Sequence, residues 1–284
     1  MTAVQLDRLG TGDVDGGFAL STEANWNQTR ADWKLMLSMG EGFGLRDESG
    51  RLLATAMFLD YGPSFAWICM VLVTPSERRK GHATRLMRSC LDRLEVEALV
   101  AGLDATPAGR EVYRRLGFRE IYGLTRLQIA AGAIDARSVS GIDVRPMDGR
   151  LVTEVARYDA TIFGTDRTVL LAEFLRRRPR HAFAAFRGGA LCGYVLARDG
   201  RVAMQIGPLC ADDEAAAIAL VSHAMAQGQG AVFVDVADHQ DGLRRWLEER
   251  GFGPQRTFTR MLRHRSAPLD TPAHVFLIAG AELG

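Results

Sequence analysis

The stretch V-L-V-T-P-S-E-R-R-K-G-H-A-T-R-L-M, Val71 to Met87, reads as the end of a buried strand, a tight basic loop and the start of an amphipathic helix. Upstream of it, Phe65 to Val73 is an unbroken apolar run, the pattern of a strand covered on both faces. Pro75 has no backbone N–H to give and ends the ladder. Past the loop, Ala83, Leu86, Met87, Cys90, Leu91 and Leu94 recur at helical spacing, with Arg85, Arg88, Asp92 and Arg93 on the opposite face. A helix is therefore predicted to begin near Gly81. Its first N–H groups have no intrahelical partner and lie at the positive end of the helix dipole. Arg78, Arg79 and Lys80 surround them, Gly81 permits close backbone approach, and Ala83 keeps the first turn free of bulk. The loop is suited to a pyrophosphate.

With 284 residues, 47% of them hydrophobic and 24% charged, the chain is long enough for two domains with full cores. A net charge of +1 supplies no field that would draw it to nucleic acid or to an anionic membrane. Cys69, Cys90, Cys192 and Cys210 lie in apolar segments without zinc or disulfide spacing, and they read as small buried hydrophobes of a reduced compartment. His181, His223, His239, His264 and His274 likewise lack metal-ligand spacing, so no metal is expected. With no signal peptide and no apolar run of membrane-spanning length, the expectation is a cytoplasmic protein.

Taken in order, the chain predicts a strand at Val4 to Leu9, one or two short helices within Ser21 to Trp33, and a hairpin of Phe43–Arg46 with Leu52–Leu59. The opening element follows, then a strand at Ala98 to Leu103. Thr106 caps the next helix, Pro107 is preset for its first position, and Gly117 ends it. Phe118–Ile121 and Leu124–Ile129 are expected to pair as closing strands. Ala130 to Gly141, small and aperiodic, reads as a linker.

From Ile142 the same order of elements recurs. Tyr113 to Phe118 matches Leu247 to Phe252, and Leu124-Thr125-Arg126-Leu127 matches Phe258-Thr259-Arg260-Met261, the mark of an internal duplication. The expected division is a first domain over 1–130, a linker over 131–141 and a second domain over 142–284. The apolar strand at Ala273 to Ala279 has no place in either repeat and is expected to close a sheet edge or bridge the two.

Arg78-x-x-Gly81-x-Ala83, set between a buried strand and a helix, resembles the acetyl-CoA signature of the GNAT superfamily of N-acetyltransferases, and the whole chain resembles its tandem-domain bacterial members. The resemblance implies an α/β fold with a mixed sheet, built here as two tandem acyl-CoA N-acyltransferase domains, and acetyl-CoA as cosubstrate. It implies that Val71, Leu72 and Val73 offer main-chain groups to the donor, and that Arg78, Arg79, Lys80, Gly81, His82, Ala83 and Thr84 wrap the pyrophosphate. Tyr113, four residues before Gly117, stands where the family places the general acid. Trp26, Asn27 and Gln28 fall in the region that shapes its acceptor site.

For the general base the residues leave Asp60, Tyr61, Glu23 and Asp104 open, along with a water relay. In the second repeat the corresponding loop is Gly207 to Glu214, with acids where phosphate would sit and Leu247 at the tyrosine position. That repeat is expected not to bind coenzyme A. It is expected to wall the acceptor pocket through Tyr158 to Arg167, with Asp166 and Arg167 toward the ligand. The function expected is direct acetyl transfer to a primary amine of a small molecule, with a non-catalytic acyl-CoA sensor or scaffold as the alternative. No cysteine or serine has the base-flanked setting of a nucleophile. Monomer and homodimer both fit the sequence.

Overall fold

The computed structural model describes residues 4–131, 134–228 and 230–284. Its first half runs β1 (Gln5–Arg8), α1 (Val14–Glu23), α2 (Arg30–Met39), β2 (Gly40–Arg46), β3 (Leu52–Asp60), β4 (Phe65–Val73), α3 (His82–Val96), β5 (Val100–Ala105), α4 (Pro107–Arg115) and β6 (Phe118–Ile129). The second half repeats that order: β7 (Asp143–Pro146), α5 (Val152–Phe163), α6 (Thr168–Arg177), β8 (Phe183–Arg187), β9 (Ala190–Arg198), β10 (Met204–Ala211), α7 (Glu214–Ala226), β11 (Val232–Ala237), α8 (Asp241–Glu248) and β12 (Gly253–Arg263). A short strand, β13 (Val275–Leu277), follows. Residues 132 and 133 of the expected linker lie outside the described residues.

The helices form for local reasons that the sequence carries. Leu86, Met87, Cys90, Leu91 and Leu94 of α3 are buried on one face against β2, β3 and β4, and each large side chain so buried contributes about 1.5–3 kcal/mol. The Thr29 hydroxyl accepts from the Asp32 N–H while Asp32 accepts from the Thr29 N–H, a reciprocal cap that starts α2. The first helix starts earlier than expected, at Val14, and Gly17 within it lets the Trp33 ring pack against its backbone: a Cβ there would lie 2.5 Å from that ring.

All thirteen strands join one sheet, in the order β1-β2-β3-β4-β5-β12-β6-β11-β13-β10-β9-β8-β7. The expected closing hairpin is absent. Phe118 to Ile129 is one continuous strand, and β12, from the other end of the sequence, lies between it and β5. β6 in turn pairs along its other edge with β11. Each repeat thus gives its last strand to the sheet of the other. The sequence shows which segments are strands, but an antiparallel edge accepts a distant partner as readily as a neighbour.

The duplication is repeated in buried ion pairs. Arg126 of β6 holds Asp235 of β11 through two bonds of 2.7 Å, and Arg260 of β12 holds Asp104 of β5 through two of 3.0 Å. Each Thr-Arg pair quoted from the two repeats therefore crosses to the other half. Residues 1–131 produced alone are expected to aggregate, because β5 and β6 would then present open edges. Co-production with residues 134–284 should give a soluble one-to-one complex; a soluble, folded first half on its own would contradict the exchange.

Candidate active site

β4 is hydrogen-bonded to β5 in parallel only at Phe65–Trp67, opposite Val100–Gly102, and from Ile68 onward the two strands part. β3 follows β4 to Val73, with a break in register between Thr55 and Met57. Met70, opposite that break, has φ +49, and its carbonyl accepts from the Thr55 hydroxyl at 2.7 Å. Such a bulge turns main-chain groups out of the ladder. The fork opens into a cleft of about 610 Å³, counting the space at its mouth, lined by Ile68 to Val71 on one arm and by Leu103, Asp104 and Thr106 on the other.

At the outer end of β4 lies the basic loop. Arg79 has φ +62 and Gly81 φ +84, and Gly81 is the residue before the first turn of α3. Left-handed residues alternating with right-handed ones form a concave nest of N–H groups. Among the described residues, nothing accepts from the N–H groups of Arg79, Lys80, Gly81, His82, Ala83 or Thr84. A Cβ on Gly81 would meet nothing within 4 Å, so its backbone conformation alone calls for glycine. Arg78 donates to the Val73 carbonyl at 3.2 Å, and Glu77 is held below the usual carboxylate range by hydrogen bonds from Lys80 and His82. The acid in the loop is thereby matched within it. Val71 also lines the cleft, whereas Leu72 is buried and Val73 stands at the loop.

Tyr113 enters the cleft from α4, which Thr106 caps by accepting from the Gly109 N–H at 3.3 Å. The Tyr113 ring lies over Gly109, where a Cβ would come within 2.8 Å of it. Burial pushes the phenol up to about 12, so it stays protonated through the neutral range. Among the described residues its hydroxyl has no hydrogen-bond partner, which leaves it free to donate into the cleft.

On the opposite side stand Trp26 and Gln28. Asn27 lines the cleft as well, but its amide is engaged: it donates to the Ala203 carbonyl at 2.9 Å and accepts from the N–H groups of Val202 and Ala203, tying α1–α2 to the second repeat. Gln28 is 4% exposed, and its side-chain carbonyl oxygen has no partner among the described residues.

Asp166 and Arg167 correct the sequence expectation. Asp166 is an exposed cap on Thr168. Arg167 is buried away from the cleft, over the Phe163 ring, holding Asp159 at 2.7 and 2.9 Å and the Gly284 carbonyl at 3.1 Å.

The candidate bases separate similarly. Asp60 caps Gly62, the Tyr61 hydroxyl donates to the Leu283 carbonyl at 2.6 Å, and Glu23 accepts from Thr74. Asp104 alone of the four lines the cleft. Burial pushes its carboxyl up to about 6 against the pull of Arg260, which it shares with Asp270.

Sequence reasoning missed the groups that arrive from far along the chain: Arg126 on β6, Arg256 and Phe258 on β12, and Ala281 and Glu282 on the segment after β13 all line the same cleft. Glu282 is 5% exposed and pairs with Arg198, which also meets Asp32 at 2.9 Å. The repeated Thr-Arg motif was the one sequence signal for such residues, since an arginine inside an apolar strand needs a buried partner.

The second repeat has the same fork in a different state. β10 and β11 pair in parallel at Met204–Ile206 and Val232–Val234, then part. β13 lies in the gap, Leu277 opposite Leu209 on one side and Val236 on the other. The apolar segment without a place in either repeat therefore fills the second fork. At the head of α7, Asp213 accepts from the Ala216 N–H at 2.9 Å and pairs with Arg187 at 2.6 Å. No cluster of His, Cys, Asp and Glu suited to a metal occurs among the described residues, and no helix is long and apolar enough to cross a membrane.

Two family profiles match the chain: "Acetyltransferase (GNAT) family" over residues 17–118 and "Acetyltransferase (GNAT) domain" over residues 155–277. A curated relative, "Holothin acyltransferase" of Pseudoalteromonas sp. (strain SANK 73390), is 28% identical over 86% of this chain and 82% of its own. Another, "Uncharacterized N-acetyltransferase YitH" of Bacillus subtilis (strain 168), is 24% identical over 99% of this chain and 98% of its own. Among solved structures, a putative acetyltransferase from Pyrococcus horikoshii superposes with a TM-score of 0.78 at 17% identity, over 99% of this chain and 96% of that one.

Proposed function

The chain belongs to the GNAT superfamily as a tandem-domain N-acetyltransferase, and from that premise we propose that the β4–β5 fork holds acetyl-CoA and passes its acetyl group directly to a primary amine of a small molecule. The observation that carries this reading is the alignment of the open fork with six unpartnered N–H groups at Arg79 to Thr84. The residues fit coenzyme A. The nest and the start of α3 receive the pyrophosphate, the free edge of β4 beyond Trp67 receives the pantetheine amides, and Tyr113 faces the thioester. When bound, the coenzyme supplies an activated acyl carbon and a thiolate leaving group.

Tyr113 is the general acid in this reading: it gives its proton to the departing thiolate and is reprotonated from solvent. A covalent route through cysteine is disfavoured because all four thiols are buried, and burial raises each of them away from the reactive thiolate form. The filled second fork and the paired Asp213 support one coenzyme per chain, in the first repeat. The acyltransferase relatives favour a catalyst over a sensor.

Gly81→Val is expected to weaken acetyl-CoA binding by about tenfold or more, since a β-branched residue resists the left-handed conformation that forms the nest. Calorimetric titration of the variant checks this, and an unchanged Kd would remove the loop from the site. Thiol release measured over a panel of amines tests the reaction itself. Coenzyme binding without acceptor-dependent release would leave a sensor.

A further inference from the structure

The cleft is lined by charged groups of both signs, and not all of them are matched. Asp235 is already held by Arg126 through two bonds and accepts from Gln205 at 3.1 Å. Arg256 stands beside this group with no carboxylate of its own among the described residues: its Nε donates to the carbonyl oxygen of neighbouring Gln255. Burial and the adjacent Arg126 charge pull its pKa below the usual value, with Asp235 opposing. Both guanidinium groups face Asp235, and Glu282 bears on Arg126 as well, which leaves Arg256 the less matched of the two.

The cleft-lining acid Glu282 belongs to a network of its own. Glu282 and Asp32 share Arg198, and Asp32 also meets Arg177, which is paired with Asp199. Gln28 lines the same cleft, buried, and its side-chain carbonyl oxygen accepts nothing among the described residues. A buried acceptor without a donor is unfavourable unless a ligand supplies one.

The phosphates of the coenzyme do not account for Arg256. Phe258, two residues along β12, packs in the core cluster that contains Trp33 and Leu35 of α2, whereas α3 and its loop pack on the other face of the sheet. Side chains two apart on a strand share a face, so Arg256 lies on the side of α1 and α2 and away from the nest.

We propose that the acceptor is a small amine that also carries a carboxylate, an α-amino acid or a close relative, with its carboxylate against Arg256 and Arg126 and its ammonium against Glu282 and Gln28. This rests on the reading of the fork as an acetyl-CoA site. The ammonium gives up one proton before attack. The amine nitrogen bonds to the acyl carbon as the carbon–sulfur bond breaks, the thiolate takes the Tyr113 proton, and the nitrogen loses its second proton as the amide forms. The products are an N-acetyl amino acid, coenzyme A thiol and one proton.

The test is thiol release by the full chain with acetyl-CoA and the twenty protein amino acids, each paired with its own carboxamide. At least one acid should be turned over with kcat/KM about tenfold or more above its amide, the range of a hydrogen bond to a charged group. Arg256→Met should collapse that ratio to within about threefold, chiefly through KM for the acid, and Arg256→Lys should restore part of it. Amides or simple alkylamines used as well as the acids would overturn the proposal, as would turnover of no acid and no calorimetric binding of any to the coenzyme-loaded protein. Failure to bind acetyl-CoA at all would instead overturn the fork reading and this inference with it.

Discussion

Tyr113→Phe is expected to lower kcat by about 100-fold or more, the usual worth of a positioned general acid, while the Kd for acetyl-CoA moves less than about threefold. The substitution keeps the ring, so the packing over Gly109 and against Phe118 at 6.1 Å between centroids is retained and only the hydroxyl is lost. With burial holding the phenol near 12, the wild-type rate should rise with pH as the acceptor amine loses its proton, and should not fall through the range where an ordinary tyrosine, near 10, ionises. Steady-state kinetics together with calorimetry separate the two effects. Unaltered turnover would remove Tyr113 from the mechanism, and loss of coenzyme affinity in parallel with rate would make it a packing residue.

Arg260→Met is expected to destabilise the fold by about 3–5 kcal/mol in urea unfolding, because it leaves buried carboxylates without their cation. Arg260 is 3% exposed, holds Asp104 through two bonds and Asp270 at 2.6 Å, donates to the Tyr122 hydroxyl at 2.8 Å, and lies over the Trp67 ring at 4.7 Å. Burial works against its charge, and Asp104, Tyr122 and Asp270 outweigh that opposition. Adding Asp104→Asn to the variant should recover part of the loss, since one of the stranded acids is then neutral. A loss below about 1 kcal/mol, the level of an exposed pair, would contradict a structural role at the junction of the two repeats.

The features legible in the sequence were those fixed by neighbouring residues. Phe65 to Val73 is β4 to the residue, Gly81 precedes α3, and Thr106-Pro107 opens α4, because strand period, left-handed glycine and helix caps act within one or two turns. The order of elements in both halves followed from the same signals. What stayed hidden was set by pairing across the sheet. Phe118 to Ile129 carries the composition of a strand but no mark of its partner, and the partner is β12, more than a hundred residues on. Arg256 and Glu282 reach the cleft only through that exchange and through the segment after β13, and neither has a motif around it. Asp166 and Arg167 misled for a related reason: a charged pair in sequence reads as a ligand site, whereas Arg167 satisfies Asp159 eight residues earlier and Asp166 caps its own helix.

The first repeat keeps its fork open, whereas β13 fills that of the second. Isothermal titration of the full chain with acetyl-CoA measures this most directly. One equivalent should bind per chain, with the heat of that site lost or strongly weakened in Gly81→Val. Two equivalents, or one that survives Gly81→Val unchanged, would contradict it.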